Sequence, residues 1–377
     1  MRHVHPSLAS RMKRNRFLVL AAALFPLLLF LAEGAAFIRS NSQTSDEAGH
    51  LLSGYCYLAR QDFRLNPEHP PLIKEISALP VYLRYRLPFD PDPRMLRTDG
   101  EWRLGLDFLY GSSVPPDRIL TLARTPNLFL GACLVGLIGW WAYRLWGRGA
   151  ALLALTLSAL EPNLIAHACL VTTDLGAALF MCLALYLLWE YLSAPTWPLL
   201  VAIGIATGLA LVTKFSTVLL LGILPVVIAC HIFLVGRFTL PEKKREGTNR
   251  NLGRELLGAV TGLLLLLSMA ALVIPSAYFF QGFSAWGSGF LRLLAHQAKG
   301  HPAFFLGSYS DSGWWTYFLV AFLIKTPLGS LLLILASLLL PRAGRPLQRR
   351  EAIVILIPVT LLFAATSWAR IDIGLRH

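Results

Sequence analysis

The chain reads as an all-α polytopic membrane protein, and three observations lead there. Hydrophobic residues make up 55% of its 377 positions and charged residues only 15%, where a soluble domain carries about a quarter charged. Mean hydropathy is +0.58. The apolar residues also fall in separate runs near the length of roughly 20 residues that a spanning helix needs. The net charge of +13 does not point to nucleic acid, because the basic residues gather in short loops between apolar runs, the positive-inside pattern.

About nine transmembrane helices follow, near Phe17–Phe37, Ile119–Trp140, Gly149–Leu160, Leu175–Tyr191, Leu199–Val212, Ser216–Val235, Leu256–Tyr278, Trp314–Leu340 and Ala352–Ser367. The third and fifth are short and borrow flanking residues. The first follows RMKRNR, has no convincing cleavage site and is long for a signal sequence, so it reads as an uncleaved anchor. Arg11, Lys13, Arg14 and Arg16 put the N-terminus in the cytoplasm. Counting spans then brings three more basic clusters to the same side: Arg144 with Arg148, Lys243-Lys244-Arg245 with Arg250 and Arg254, and Arg342, Arg345, Arg349 and Arg350. The long first loop, residues 38–118, falls outside, with residues 161–174, Lys214, residues 279–313 and the C-terminal tail. Nearly every polar residue with chemical potential lands on that face.

The first loop does not stand apart by composition, so residues 1–377 form one integral-membrane domain. Within the loop, Leu51, Leu52, Tyr55 and Leu58 recur at helical spacing behind Ser45 or Asp46 as a cap. After Pro70-Pro71, Leu72, Ile73, Ile76 and Leu79 fall on one face and Lys74, Glu75 and Ser77 on the other. Both stretches read as amphipathic helices in the membrane interface. Residues 88–116, rich in Pro, Asp and Arg, read as irregular loop. The five cysteines, Cys56, Cys133, Cys169, Cys182 and Cys230, are scattered without metal spacing and read as packing residues. There is no internal repeat.

Asp46, Glu47 and His50 lie within about one helical turn, with Asp46 and His50 on one face. They suit a general base or a metal ligand; they equally suit a helix cap with acids complementing the macrodipole. Asp174, after Thr172-Thr173, poses the same choice. A carboxylate toward a bilayer centre costs about 2.5–3.5 kcal/mol, and Glu161 shares its loop. Lys74, Arg124, Lys214 and Lys325 are cations in or beside apolar segments, either snorkelling anchors or a site for a lipid-linked phosphate. Lys325 stands out, about eleven residues into its span. The segment HPAFFLGSYSDSGWWTYF suits an interfacial belt, a sugar-stacking surface or prenyl packing.

Several segments together resemble the polytopic lipid-phosphosugar glycosyltransferases of the C superfamily, in the branch of protein O-mannosyltransferases and bacterial aminoarabinose-type transferases. They are SDEAGHLLSGYCYLARQDFRLNPEHPPLIKEISALP, LARTPNLFLG, YRLWGRGAALLALTLSALEPNLIAHACLVTTD, GIATGLALVTKFS, GSYSDSGWWTYFLVAFLIKTPLG and IDIGLRH, in the family's order and over almost the whole chain. The resemblance implies inverting transfer from a polyprenyl-phosphate sugar to a protein, lipid or polysaccharide acceptor, in the bacterial plasma membrane with the active site on its outer face. Asp46, beside Glu47, matches the family's catalytic acidic residue, and Asp174 the second acidic position near the donor phosphate. Glu68-His69-Pro70 stands where aminoarabinose-type relatives carry Glu-Lys-Pro, whose lysine contacts lipid phosphate; His69 takes that place here, with Lys74 in reserve. Relatives continue beyond the IDIGLRH tail, so the resemblance reads this chain as truncated or a fragment.

The implied chemistry is direct displacement at the anomeric carbon, with Asp46 taking the acceptor proton and Arg124, Lys214 and Lys325 stabilising the leaving phosphate. A divalent cation among Asp46, Glu47 and Asp174 would serve the same end; the residues leave that open. The competing readings are a transporter or flippase of lipid-linked sugars and a non-catalytic membrane assembly protein. A transporter needs charge along a full pathway, and often repeats with broken helices; here charge concentrates on one face.

Overall fold

The computed structural model describes residues 8–89, 100–236, 238–241, 252–300, 302–311, 313–339 and 346–368, with side chains from residue 21 onward. Lys243, Lys244, Arg245, Arg250, Arg342, Arg345 and the IDIGLRH tail lie outside the described residues, as do the side chains of Arg11 to Arg16.

The described residues are all-α apart from one small hairpin. Helix α1 (Leu8–Ser40) carries the first span, over Ala21–Ser40. Five more helices are long and apolar enough to cross a membrane: α5 (Pro116–Trp146), α8 (Asp174–Ser193), the run Phe215–Leu234 that ends as α10 (Leu220–Leu234), α11 (Leu252–Ala277) and α15 (Arg349–Ser367). The remaining three expected spans take other forms. Gly149–Leu160 is the first arm of a pair, α6 (Arg148–Ala159) and α7 (Pro162–Ala168), bent by 62°. Pro162 forces the break, and Glu161 caps the second arm by accepting the Asn163 amide. Leu199–Val212 is α9 (Trp197–Leu211), whose 15 residues reach only about 22 Å. Trp314–Leu340 is not one continuous helix. It divides into α13 (Tyr317–Lys325) and α14 (Leu328–Leu339), bent by 108°, because Pro327 holds the preceding Thr326 in extended backbone.

The described residues of the first loop build three helices against the first turns of α5. Here the expectations need two corrections. The stretch expected to be irregular contains α4 (Glu101–Tyr110), which buries Leu104, Phe108 and Leu109. And α2 (Ser45–Arg60) does not lie half-exposed in an interface: residues 47–57 are all buried. Its partner α3 (Leu72–Tyr85) turns its polar face inward as well, with Lys74 and Ser77 buried. Close helix approach makes this possible. A Cβ on Gly54 would lie 2.0 Å from the Lys74 carbonyl oxygen of α3, and one on Gly105 would lie 2.5 Å from the Ala48 backbone of α2. Leu51, Leu52, Tyr55, Ala78, Phe108 and Ile119 fill the core between the four helices.

Beyond α11 the chain returns to this module through α12 (Phe283–Lys299). Trp286 and Phe290 pack on Phe215, and the Trp286 indole donates to the Leu211 carbonyl at 3.0 Å. The hairpin β1 (Ala303–Phe305) and β2 (Ser308–Ser310) follows; an interfacial aromatic segment gave no sign of strand.

Candidate active site

The site is built around the acidic dipeptide at the start of α2, whose two carboxylates point different ways. Thr44, not Ser45 or Asp46, is the N-cap. Its amide and hydroxyl donate to Glu47 Oε2 at 2.9 and 3.1 Å, the Thr-x-x-Glu capping box. Glu47 also takes Arg124 Nε on Oε1 at 2.8 Å, Arg124 NH2 on Oε2 at 2.7 Å and the Val171 amide on Oε1 at 3.1 Å. Both side chains of this ion pair are fully buried. The guanidinium spends its other hydrogens on the carbonyls of Ile38, Asn41 and Ser42. Glu47 and Arg124, expected at the reaction centre, thus tie α1, α2, α5 and the segment before α8 together, and Arg124 keeps no donor for a phosphate.

Asp46, one residue earlier and part-exposed, turns about 100° away around the helix. His50, one turn on, is buried, and its Nδ1 donates to the Val171 carbonyl at 3.0 Å. A carbonyl only accepts, so Nε2 holds the lone pair. Burial and Lys74 lower the imidazole pKa to about 4, against opposing pulls from Asp46, the Val171 bond and Asp174. His69 packs edge-on to it with centroids 5.0 Å apart. Burial, His50, Lys74 and Lys214 hold His69 well below the usual histidine range. Both rings are therefore neutral at pH 7, which makes His69 a poor stand-in for a phosphate-binding lysine.

Val171 answers both Glu47 and His50, and Asn127 Nδ2 holds the Leu170 carbonyl at 2.7 Å. Those bonds fix the entry into α8, whose first residue is Asp174. Lys214 Nζ lies 2.6 Å from Asp174 Oδ1 and His167 Nδ1 3.9 Å from Oδ2. Asp174 and Lys214 are 17% and 11% exposed, so the pair remains reachable. Lys74 is different. Fully buried, it donates to the Tyr57 hydroxyl at 2.7 Å and to the carbonyls of Asn66 and His69 at 2.9 and 2.6 Å. Burial pulls its pKa down to about 7, partly opposed by Glu101 and Glu75. With four acceptors around three hydrogens, the Asn66 Oδ1 at 3.3 Å among them, Lys74 is a clamp on the Asn66–His69 segment. Lys325 ends α13 at the exposed bend, where its carbonyl meets Asn163 Nδ2 at 3.3 Å. The helix breaks directly after it, so the place of Lys325 in this bent pair is the bend itself.

One polar cluster therefore contains Asp46, His50, His69, Asp174 and Lys214, delivered by α2, the turn before α3, the start of α8 and the turn after α9. Among the described residues no three His, Cys, Asp or Glu side chains group as metal ligands would. Glu47, with both oxygens engaged, is not placed to join Asp46 and Asp174 around an ion. His167 was not singled out in the sequence. Its only signal there is a histidine midway between Glu161 and Asp174.

Against known families, residues 23–285 match the model of the dolichyl-phosphate-mannose-protein mannosyltransferases. The chain belongs to this family. Membership makes it a membrane glycosyltransferase, and the match contains every residue of the polar cluster. It ends inside α12, so the hairpin and α13 to α15 lie beyond it. No curated protein matches the chain.

The two neutral histidines predict a pH signature in this mannosyltransferase-family protein. Between pH 6.5 and about 4 the unfolded chain protonates at His50 while the native one does not. Stability should therefore fall as pH drops through that window and be insensitive to His50 above it. Melting temperatures from pH 7.5 to 4.5 check this, with His50→Gln expected to flatten the slope. An unchanged slope in that variant would mean His50 is not buried neutral.

Proposed function

We propose that the protein transfers mannose from a polyprenyl-phosphate donor to a hydroxyl of a protein acceptor, with inversion, at the non-cytoplasmic face. The observation that carries this reading is the convergence of Asp46, Asp174 and Lys214 with two neutral imidazoles in an otherwise apolar protein. In membrane proteins such polar groups mark a working site. The family's name supplies the donor and acceptor classes.

In the step proposed, the acceptor oxygen attacks the anomeric carbon as the bond from that carbon to the phosphate oxygen breaks. The acceptor proton passes to Asp46, and the lipid phosphate leaves with the electron pair. Lys214, held at 2.6 Å by Asp174, brings its ammonium charge to the leaving phosphate. His50 and His69, being uncharged, can hydrogen-bond sugar hydroxyls. Glu47, Arg124 and Lys74 hold these groups in position. The outer-face assignment rests on the basic loops, of which Arg144, Arg148, Arg254, Arg349 and Arg350 are among the described residues.

Two bent helix pairs are a feature that transporters share, but family membership favours transfer. The test is to incubate the purified protein with a panel of polyprenyl-phosphate sugars and measure free lipid phosphate. Release from the mannosyl donor is expected. Intact donor throughout, with lipid bound, would favour a carrier or assembly role.

A further inference from the structure

A second polar site borders the Asn66–His69 segment, which lines it through Pro67 and reaches the cluster through His69. It is a cavity of about 600 Å³ between residues 61–67 and α12, lined by Gln61, Asp62, Arg64, Gln281, Ser288 and Arg292. On α12, Ala285, Ser288, Arg292, His296 and Lys299 recur every three or four residues and form one polar stripe. The opposite face of the helix carries Trp286 and Phe290 onto Phe215.

The charges in and around the cavity do not cancel. Arg64 forks onto Asp62, its Nε 2.8 Å from Oδ1. His296 meets Glu68 at 2.8 Å. Arg292 forms no ion pair among the described residues, and neither does Lys299 two turns further on. One guanidinium therefore faces the cavity with its charge uncompensated, beside the amides of Gln61 and Gln281, of which Gln281 Nε2 is committed to the Gln61 carbonyl at 2.7 Å. An exposed guanidinium fork next to planar amides is suited to a carboxylate.

We infer that this cavity receives the acceptor polypeptide and selects hydroxyl residues with a nearby Asp or Glu. The inference rests on the protein-acceptor reading above. Position supports it. Pro67 edges the cavity and His69 faces the cluster, a separation of about 7 Å along the chain. An extended peptide advances about 3.4 Å per residue. A peptide that passes over this short turn thus carries a carboxylate on Arg292 within a few residues of the hydroxyl that reaches Asp46.

The experiment uses three fluorescein-labelled peptides, each with one Thr and with Asp, Asn or Lys two residues away. Their binding to the detergent-solubilised protein is followed by anisotropy. The Asp peptide should bind about tenfold more tightly than the Lys peptide, as expected for one charge-assisted contact. Arg292→Gln should level the Asp and Asn peptides, and Arg292→Glu should reverse the order of Asp and Lys. Arg292 is exposed, so both variants should fold. Equal binding of the three peptides, or an order unchanged in Arg292→Glu, would overturn the inference. So would displacement of the Asp peptide by dodecyl phosphate or by a mannose oligosaccharide, which would make the cavity a lipid-phosphate or glycan site. Release of lipid phosphate by the unaltered protein reads the transfer reaction separately. Release without charge preference sinks only the cavity's role, and charge preference without release sinks only the transferase reading.

Discussion

Asp46→Asn should leave a folded, donor-binding protein that has lost about 10²–10⁴ of its turnover. The substitution keeps the shape of the side chain and one acceptor oxygen but cannot take the acceptor's proton. Two features make it a clean test. Thr44 is the N-cap and Glu47 closes the capping box, so changing Asp46 removes neither. Asp46 is also part-exposed, so no buried charge is left without its partner. Turnover is read as lipid phosphate released per protein, with donor affinity measured alongside. A well-folded Asp46→Asn protein with near-normal turnover would take this carboxylate out of the mechanism.

Arg124→Met should instead act on stability, by about 3–5 kcal/mol. It leaves the Glu47 carboxylate fully buried without its charge partner and strips the donors from the carbonyls of Ile38, Asn41 and Ser42. Thermal melts in detergent should show the loss. Adding Glu47→Met should restore part of it, since two apolar side chains bury more cheaply than one orphaned charge. If Arg124 were mainly a phosphate ligand, the single variant would melt normally and bind donor poorly, the opposite pattern.

What the sequence revealed and what it hid follow from distance along the chain. Apolar runs report burial locally, so the spans emerged, and Pro162 and Pro327 were visible breakers whose effect was read too lightly. Thr44 and Glu47 stand three apart, and the capping box was there to be read. The partner that decides the role of Glu47 was not, because Arg124 lies 77 residues away. Lys214 and Asp174, 40 residues apart, could be suspected one by one but not paired. Lys74 misled for a related reason. Its place on the polar side of an amphipathic pattern suggested exposure, whereas α2 and the Asn66–His69 segment enclose it. Helix α4 was hidden by flanks rich in proline and charge, although its own ten residues carry a helical apolar pattern.

The pinned carboxylate of Glu47 has a consequence for how this protein can vary. Three separate segments grip that side chain, so it sets the rotational phase of α2, and the direction of Asp46 follows as a fixed angle. A residue added at Gln43 leaves this phase to the capping box but displaces the Asn41 and Ser42 carbonyls that Arg124 holds, so it costs stability rather than direction. A residue added between Asp46 and Glu47 swings the first carboxylate through about 100° and away from Asp174. Two acids of like charge, adjacent in the chain, are thereby not interchangeable. Length drift before Thr44 costs stability, whereas drift between Asp46 and Glu47 costs the geometry of the site.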